Sequence, residues 1–376
     1  MKSNFDDLLE ERSEHVLSLY RAIEQRLVLS IADRINRLGI TSTSVIELNR
    51  LYDMGFLDTN TLKLLEELTG EPLERFIEAI KGMVSDSIDW ETHNIAYDRG
   101  LTLIKPTTDI IQPVINEIIE YVVRDVNIAK TTAIQYMQKD VKRVIDSAVL
   151  ETKLGTMTEQ EAVVHAVKGI AKKGITSMRY DRHNKDGTIS TVDMSLEGYM
   201  RRVIRTEFIQ SVGKTQEHLG KELGAELYYV SQHLGARDKG IGHKNHESWQ
   251  GQVYTHDDLY TVCGYSKVDG LCGVNCRHRF FPYWEGITPL PPKIDTEENK
   301  RVYDLQQKQR KLERDVREIK LTISALESID LEEAREEVVR EKRKLRAKQK
   351  AIRNLVEENK DVLRRNYQRE SVVERL

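Results

Sequence analysis

The chain has 376 residues, 39% of them hydrophobic and 32% charged, enough for a core spread over two or three folded units. Aromatics at 6% and only 7 prolines favour long helices over a β-sandwich, and a net charge of −3 excludes a globally basic nucleic-acid binder. The most apolar run, residues 114–123, already contains Glu117 and Glu120, so none approaches the roughly 18 uncharged residues of a spanning helix.

The N-terminus carries Asp6 and Asp7 where a secretory signal would be basic and then apolar. The chain therefore reads as a soluble protein made in a cytoplasm. A reduced compartment fits its three cysteines, Cys263, Cys272 and Cys276, better than a disulfide framework does. Charge is uneven along the sequence. From Lys293 onward there are 23 Lys and Arg against 19 Asp and Glu, and before it 35 against 42. Contact with a polyanion is accordingly expected in the C-terminal tail.

Residues 5–38 carry Val16, Tyr20, Ile23, Leu27, Ile31 and Ile35 at three- and four-residue spacing, with Gly39 where a C-cap belongs. Two shorter helices are predicted over 41–55 and 58–69, and a third over 73–84 after Gly70-Glu71-Pro72. A longer stripe from Ile111 to Ala148 predicts one helix with a core or partner-facing seam. Thr158 with Glu161 forms a capping-box start for the next helix, to about Lys172.

The texture changes at Gly174. Residues 175–180 and 188–192 flank Lys185-Asp186-Gly187 and read as a β-hairpin. A helix over 196–224 and a strand over 226–231 follow, and then Gly- and His-rich irregular sequence to Gly286. In the tail, Val302, Leu305, Gln309, Leu312, Val316, Ile319, Ile323 and Leu326 hold a and d heptad positions. A second set runs Leu331, Ala334, Val338, Glu341, Leu345, Lys348, Ile352 and Leu355. The pattern predicts an antiparallel coiled-coil hairpin, its second helix capped by Asp330 with Glu333, or else one unbroken helix. Polar Gln309, Glu341 and Lys348 would weaken the seam but fix its register. The fold class is thus mainly α with a small α+β domain. Its expected layout is an N-terminal helical domain at 1–104, a long helix and connecting helix at 105–173, the α+β unit at 174–292 and the coiled-coil tail at 293–376.

Candidate chemistry concentrates in residues 233–284. A zinc site could draw on His243, His246, Cys272, Cys276 and His278, although their spacing is not that of the common structural motifs. Cys276 and His278 could form a nucleophile–base pair if the chain bends, but no oxyanion-hole signature accompanies them. Asp238, His246 and Asp269 could bind a divalent cation for hydrolysis, yet no paired carboxylates share one element. Against a metal-dependent, nuclease-like or toxin-type enzyme stands the simpler reading, with no catalytic residue, metal or cofactor. There these groups knit together a loop-rich domain, with Trp249, Phe280, Phe281, Tyr283 and Trp284 in the core. Asn275 and the glycines at 264, 270 and 273 would serve special backbone conformations, and a buried Asn275 would satisfy loop backbone groups.

The segment also carries an ordered set of motifs: Gly235-Ala236-Arg237-Asp238, then His246-Glu247-Ser248-Trp249-Gln250-Gly251, then Cys272-Gly273-Val274-Asn275-Cys276-Arg277-His278. Upstream lies Arg205-Thr206-Glu207 on the preceding helix. Together these resemble the phage minor capsid protein 2 family and the wider Mu F-like head-morphogenesis proteins. The resemblance covers about 174–286, is fainter around 46–55, and does not extend to the heptad tail. It implies a virion protein in few copies, without enzymatic activity, bound near the portal and acting in head assembly, packaging or DNA delivery. The implied partners are the portal protein, the major capsid or scaffolding protein, and packaged DNA, with no membrane. Some members of the wider group carry an appended toxin or ADP-ribosyltransferase domain, whereas the extension here is heptad helix. The tail residues read as polyanion-binding are Lys342, Arg343, Lys344, Arg346, Lys348 and Lys350. Deleting 293–376 is expected to remove that binding and spare any portal contact.

Overall fold

The computed structural model describes residues 5–40, 59–98, 107–183 and 187–372. The protein is mostly helical with two small antiparallel sheets. Helix α1 (Phe5–Leu38) ends where Gly39, at φ +67°, donates its N–H to Ile35 O. Helices α2 (Thr59–Glu66) and α3 (Glu71–Asp98) follow, and α3 runs well past the predicted stop at residue 84. The helix expected over 41–55, with the family-like stretch 46–55, lies outside the described residues. Helix α4 (Thr107–Lys153) is 47 residues long, about 70 Å at 1.5 Å per residue. Helix α5 (Glu159–Lys173) opens with the predicted box: Thr158 Oγ1 accepts from Glu161 N, and Glu161 Oε2 accepts from Thr158 N.

Strands β1 (Thr176–His183) and β2 (Ile189–Ser195) form the predicted hairpin, and α6 (Leu196–Glu222) follows directly. A three-stranded sheet of order β4-β3-β5 comes from β3 (Leu227–Val230), β4 (Val253–Thr255) and β5 (Phe280–Tyr283). Pro282, which cannot donate to a ladder, sits on the edge strand β5 opposite Tyr228. Two short helices, α7 (His246–Trp249) and α8 (His256–Thr261), interrupt what sequence alone marks as irregular. The tail is a helix–loop–helix of α9 (Thr296–Glu327) and α10 (Glu332–Glu358) rather than one rod. Its turn differs from expectation. Leu331 occupies the N-cap position of α10 without a side-chain bond, and Asp330 pairs instead with Arg335.

Contacts divide the chain into two compact units, each assembled from separated segments. One comprises Met1–Val16, Leu73–Asp125 and Arg201–Lys308, and the other Leu17–Pro72, Val126–Met200 and Gln309–Leu376. The segment 174–292 therefore contributes its hairpin to the second unit and its three-stranded sheet to the first. Local spacing marks the long helices but not which distant segments they pack with.

In the first unit, Phe76 of α3 meets Phe208 of α6 edge-on at 5.7 Å, with Val114, Ile118, Val122 and Ile204 also buried. Its last segment is anchored by Asn299 of α9, fully buried, whose Oδ1 accepts from Ala236 N and whose Nδ2 donates to Ala236 O. In the second unit the buried Glu24 of α1 ties down two chain starts. It accepts from Ile175 N at 2.9 Å and from Glu197 N at 3.0 Å. Burial raises the Glu24 carboxyl to about 7 despite these bonds. Helix α10 packs on α5, where Lys168 pairs with Glu337 and Glu341. Gln309, a polar seam position, is buried and donates to Arg364 O at 2.8 Å. Residues 293–376 are thus built into both cores. Removing them would strip Ala236 and Lys168 of partners, so the deletion is not the clean test the sequence implies.

No helix among the described residues is long and apolar enough to cross a membrane.

Candidate functional site

In the first unit, strand β3 supplies the base of the His- and Cys-rich segment. Val230 N donates to Gln252 O, Gly251 N to Val230 O, and Ser231 N to Arg279 O at 2.9 Å. These bonds bring the loops flanking α7 and preceding β5 side by side. The second loop is tightly wound. A Cβ at Gly270 would lie 2.2 Å from Gly264 O, and one at Gly273 2.5 Å from Val268 O, so backbone passes where only glycine fits. Cys272 and Asn275 both adopt φ of +56°. Asn275 is exposed rather than buried, and so cannot pair hidden backbone groups as expected. Asn tolerates the left-handed conformation better than most residues, and that accounts for its place here.

Inside these loops His246, Trp249, Cys276 and His278 are buried together. The Trp249 ring lies 4.7 Å from that of His246 and 4.8 Å from that of His278, while its Nε1 donates to His243 O. His233 stacks on His278 at 4.3 Å. His246 Nε2 is 2.9 Å from Asp269 O, and His278 Nε2 is 3.0 Å from Gln250 Oε1. Both acceptors lack a proton, so each Nε2 carries the hydrogen and each Nδ1 presents a lone pair. Those two Nδ1 atoms lie 3.8 and 3.6 Å from Cys276 Sγ.

Arg237 and Arg277 brace the same loops from outside. Arg237 donates to Asp269 O and Val274 O, and Arg277 to Leu234 O and Gln306 Oε1. Gly251, at φ +70°, forms the turn after α7. Phe280 is buried, whereas Phe281, Tyr283 and Trp284 are half-buried, so the aromatic core is smaller than predicted.

Electrostatics oppose reactivity. Burial pushes the Cys276 thiol up to about 11 and Cys263 to about 12, and holds Cys272 well above its ordinary value. Burial likewise lowers His246 to about 4 and holds His278 well below its ordinary value. A Cys276–His278 contact does form because the chain bends, but between a neutral thiol and a neutral imidazole. The nuclease reading loses its geometry, since Asp269 is engaged by His243 and Lys244 and does not converge with Asp238. Of the five zinc-ligand candidates, three come together among the described residues: His246, Cys276 and His278. His243 pairs with Asp269, and Cys272 Sγ faces His278 O at 3.7 Å.

The upstream motif serves other neighbours. Arg205 pairs with Glu10 of α1 at 2.5 Å and Thr206 Oγ1 bonds back to Arg202 O. Glu207 is buried near Asp125 of α4, and its Oε2 has no hydrogen-bond partner among the described residues. Sequence reading missed Gln250 and Asn299. Gln250 lies inside the quoted motif, whereas Asn299 has no signal beyond being polar in a helix's first turn.

In the second unit, α10 sorts the six tail cations. Lys342 pairs with Glu327, Lys344 with Glu341 and Lys348 with Asp315. Arg343, Arg346 and Lys350 are exposed and have no ion-pair partner among the described residues, and Arg353 shares that state. Spacings of three, four and three residues put these four on one helix face.

The first unit's site thus holds buried thiols beside imidazoles whose Nε2 atoms are fixed on Asp269 O and Gln250 Oε1. The model of the phage minor capsid protein 2 family matches residues 5–357, and the chain belongs to that family. A structural protein of Lactococcus phage LL-H is 30% identical over 258 residues, 65% of this chain and 64% of that protein, just under two thirds of the relative's length. A structural protein of Lactococcus phage mv4 is 38% identical over 113 residues, 29% of this chain and 86% of that protein. No solved structure matches.

Proposed function

We propose that the protein is a low-copy, non-catalytic component of the phage head, seated at the portal vertex, where it acts in procapsid assembly, DNA packaging or DNA delivery. The family match over residues 5–357 carries this reading. The site supports it, because its thiols and imidazoles are neutral, buried and committed to holding loops. Co-purification with the portal protein of the same phage tests it. Recovery of a portal complex that survives gel filtration is the expected result, and complete separation of the two proteins would refute portal seating.

The exposed face of α10 adds a contact with packaged DNA. Three or four phosphate contacts would make binding weaken with salt and show no sequence preference. Changing Arg343, Arg346 and Lys350 together to Glu should make the negative slope of log affinity against log salt shallower by about 2.7, at roughly 0.9 per phosphate. Duplex DNA binding measured across a salt series checks this. The same change at Lys342, Lys344 and Lys348, already paired, should have the smaller effect. Equal slopes for all three proteins would assign this face to protein contacts alone.

A further inference from the structure

We propose that His246, Cys276 and His278 bind one zinc ion that staples the loop around α7 to the loop preceding β5. Zinc bonds of about 2.3 Å to sulfur and 2.0–2.1 Å to nitrogen, at the tetrahedral angle, place sulfur and nitrogen about 3.6 Å apart. Cys276 Sγ lies 3.6 Å from His278 Nδ1 and 3.8 Å from His246 Nδ1, and all three ligand atoms fall within 4.8 Å of one another. The two sulfur–nitrogen edges therefore already have tetrahedral dimensions, and a small movement of the two imidazoles toward each other would complete the face.

The outer groups favour the same assignment. Metal-bound imidazoles usually donate their second N–H to a fixed oxygen, which sets the tautomer and aims the lone pair. Both histidines do so here, His246 to Asp269 O and His278 to Gln250 Oε1, while Gln250 Oε1 is itself held by His233 N at 3.0 Å. Two imidazole lone pairs then face one thiol. Its single hydrogen can satisfy one of them, and the other is left buried without a donor. A cation bound by both nitrogens and by the thiolate removes that shortfall. Sulfur with two imidazole nitrogens, and no carboxylate in the cluster, selects zinc over magnesium or calcium.

Binding forms one Zn–S and two Zn–N bonds and releases the Cys276 thiol proton to solvent, one proton per ion. Water completes the fourth position. The ligands are 3%, 2% and 1% exposed, so the ion would be held rather than presented to a substrate. Its effect would be on stability, through loops that otherwise depend on Arg237 and Arg277.

The test uses the purified full-length protein. Elemental analysis should find about one zinc per chain, unchanged in His243→Asn and lost in Cys276→Ala. Gln250→Ala, which removes an outer partner, should weaken zinc binding about 10- to 100-fold. Should Cys276→Ala fail to fold, cobalt(II) added to chelator-treated native protein gives an independent readout. It should produce a thiolate-to-cobalt charge-transfer band and the intense visible bands of a tetrahedral site, and zinc should abolish both. Native protein that contains no zinc and gives no such bands with cobalt would overturn the proposal. So would zinc content that persists in a folded Cys276→Ala variant.

Discussion

Asn299→Ala will destabilise the first unit by roughly 2–6 kcal/mol, because two backbone groups of Ala236 lose their partner at a site with no solvent access. Each buried group left unpaired costs about 1–3 kcal/mol. The Asn299 carboxamide meets both at once, at 2.8 Å for the N–H and 3.1 Å for the carbonyl. Ala236 adjoins Arg237, which braces Asp269 and hence His246, so the loss should spread into the site. Urea unfolding followed by Trp249 fluorescence would register it as a lower midpoint. Asn299→Asp should not rescue the effect, since a carboxylate can accept from Ala236 N but repels Ala236 O. A change below about 0.5 kcal/mol, typical of surface substitutions, would mean that the clamp carries no weight.

Glu207→Gln will stabilise the protein above neutral pH and change it little below pH 5. Burial foremost, and then the Asp125 charge, raise the Glu207 carboxyl from 4.5 to about 7, against smaller opposing effects of Lys214 and Arg124. The folded state therefore holds a proton that the unfolded state releases near 4.5. Below that pH both states are protonated and nothing is lost. As pH rises from about 4.5 through about 7, stability falls, and the full cost, roughly 3 kcal/mol at 1.36 kcal/mol per pH unit, is present above 7. Glutamine cannot ionise and is free of that slope. Urea midpoints for both proteins between pH 4.5 and 8 isolate Glu207, because the similarly raised Glu24 is common to both. Parallel curves would show that Glu207 is solvated in the folded protein.

Most of the long helices were legible because each announces itself locally, whereas the short α7 and α8 were read as irregular sequence. The stripe on α1, Gly39 at its end and the Thr158–Glu161 box need no knowledge of distant residues. The hairpin at Gly187 was legible for the same reason. What stayed hidden depends on tertiary packing. Nothing local distinguishes Glu24 from an ordinary helix-surface carboxylate, yet it is buried against the N–H groups of Ile175 and Glu197. Heptad positions in α9 and α10 predicted partners for each other, whereas Glu341 lies beside Lys168 of α5. Within the site, the residue types marked the loops in which His246, Cys276 and His278 meet. Spacing could not choose three ligand-type groups from five, because that depends on how the chain winds through Gly270, Gly273 and Asn275.

The central claim is that this chain is a head component present in few copies. Quantitative mass spectrometry of purified DNA-free procapsids and filled heads of the phage that encodes it tests this directly. The account predicts a fixed, low ratio to the major capsid protein, on the scale of the portal protein, in procapsids. Its absence from both particle types, or a copy number matching the major capsid protein, would contradict it.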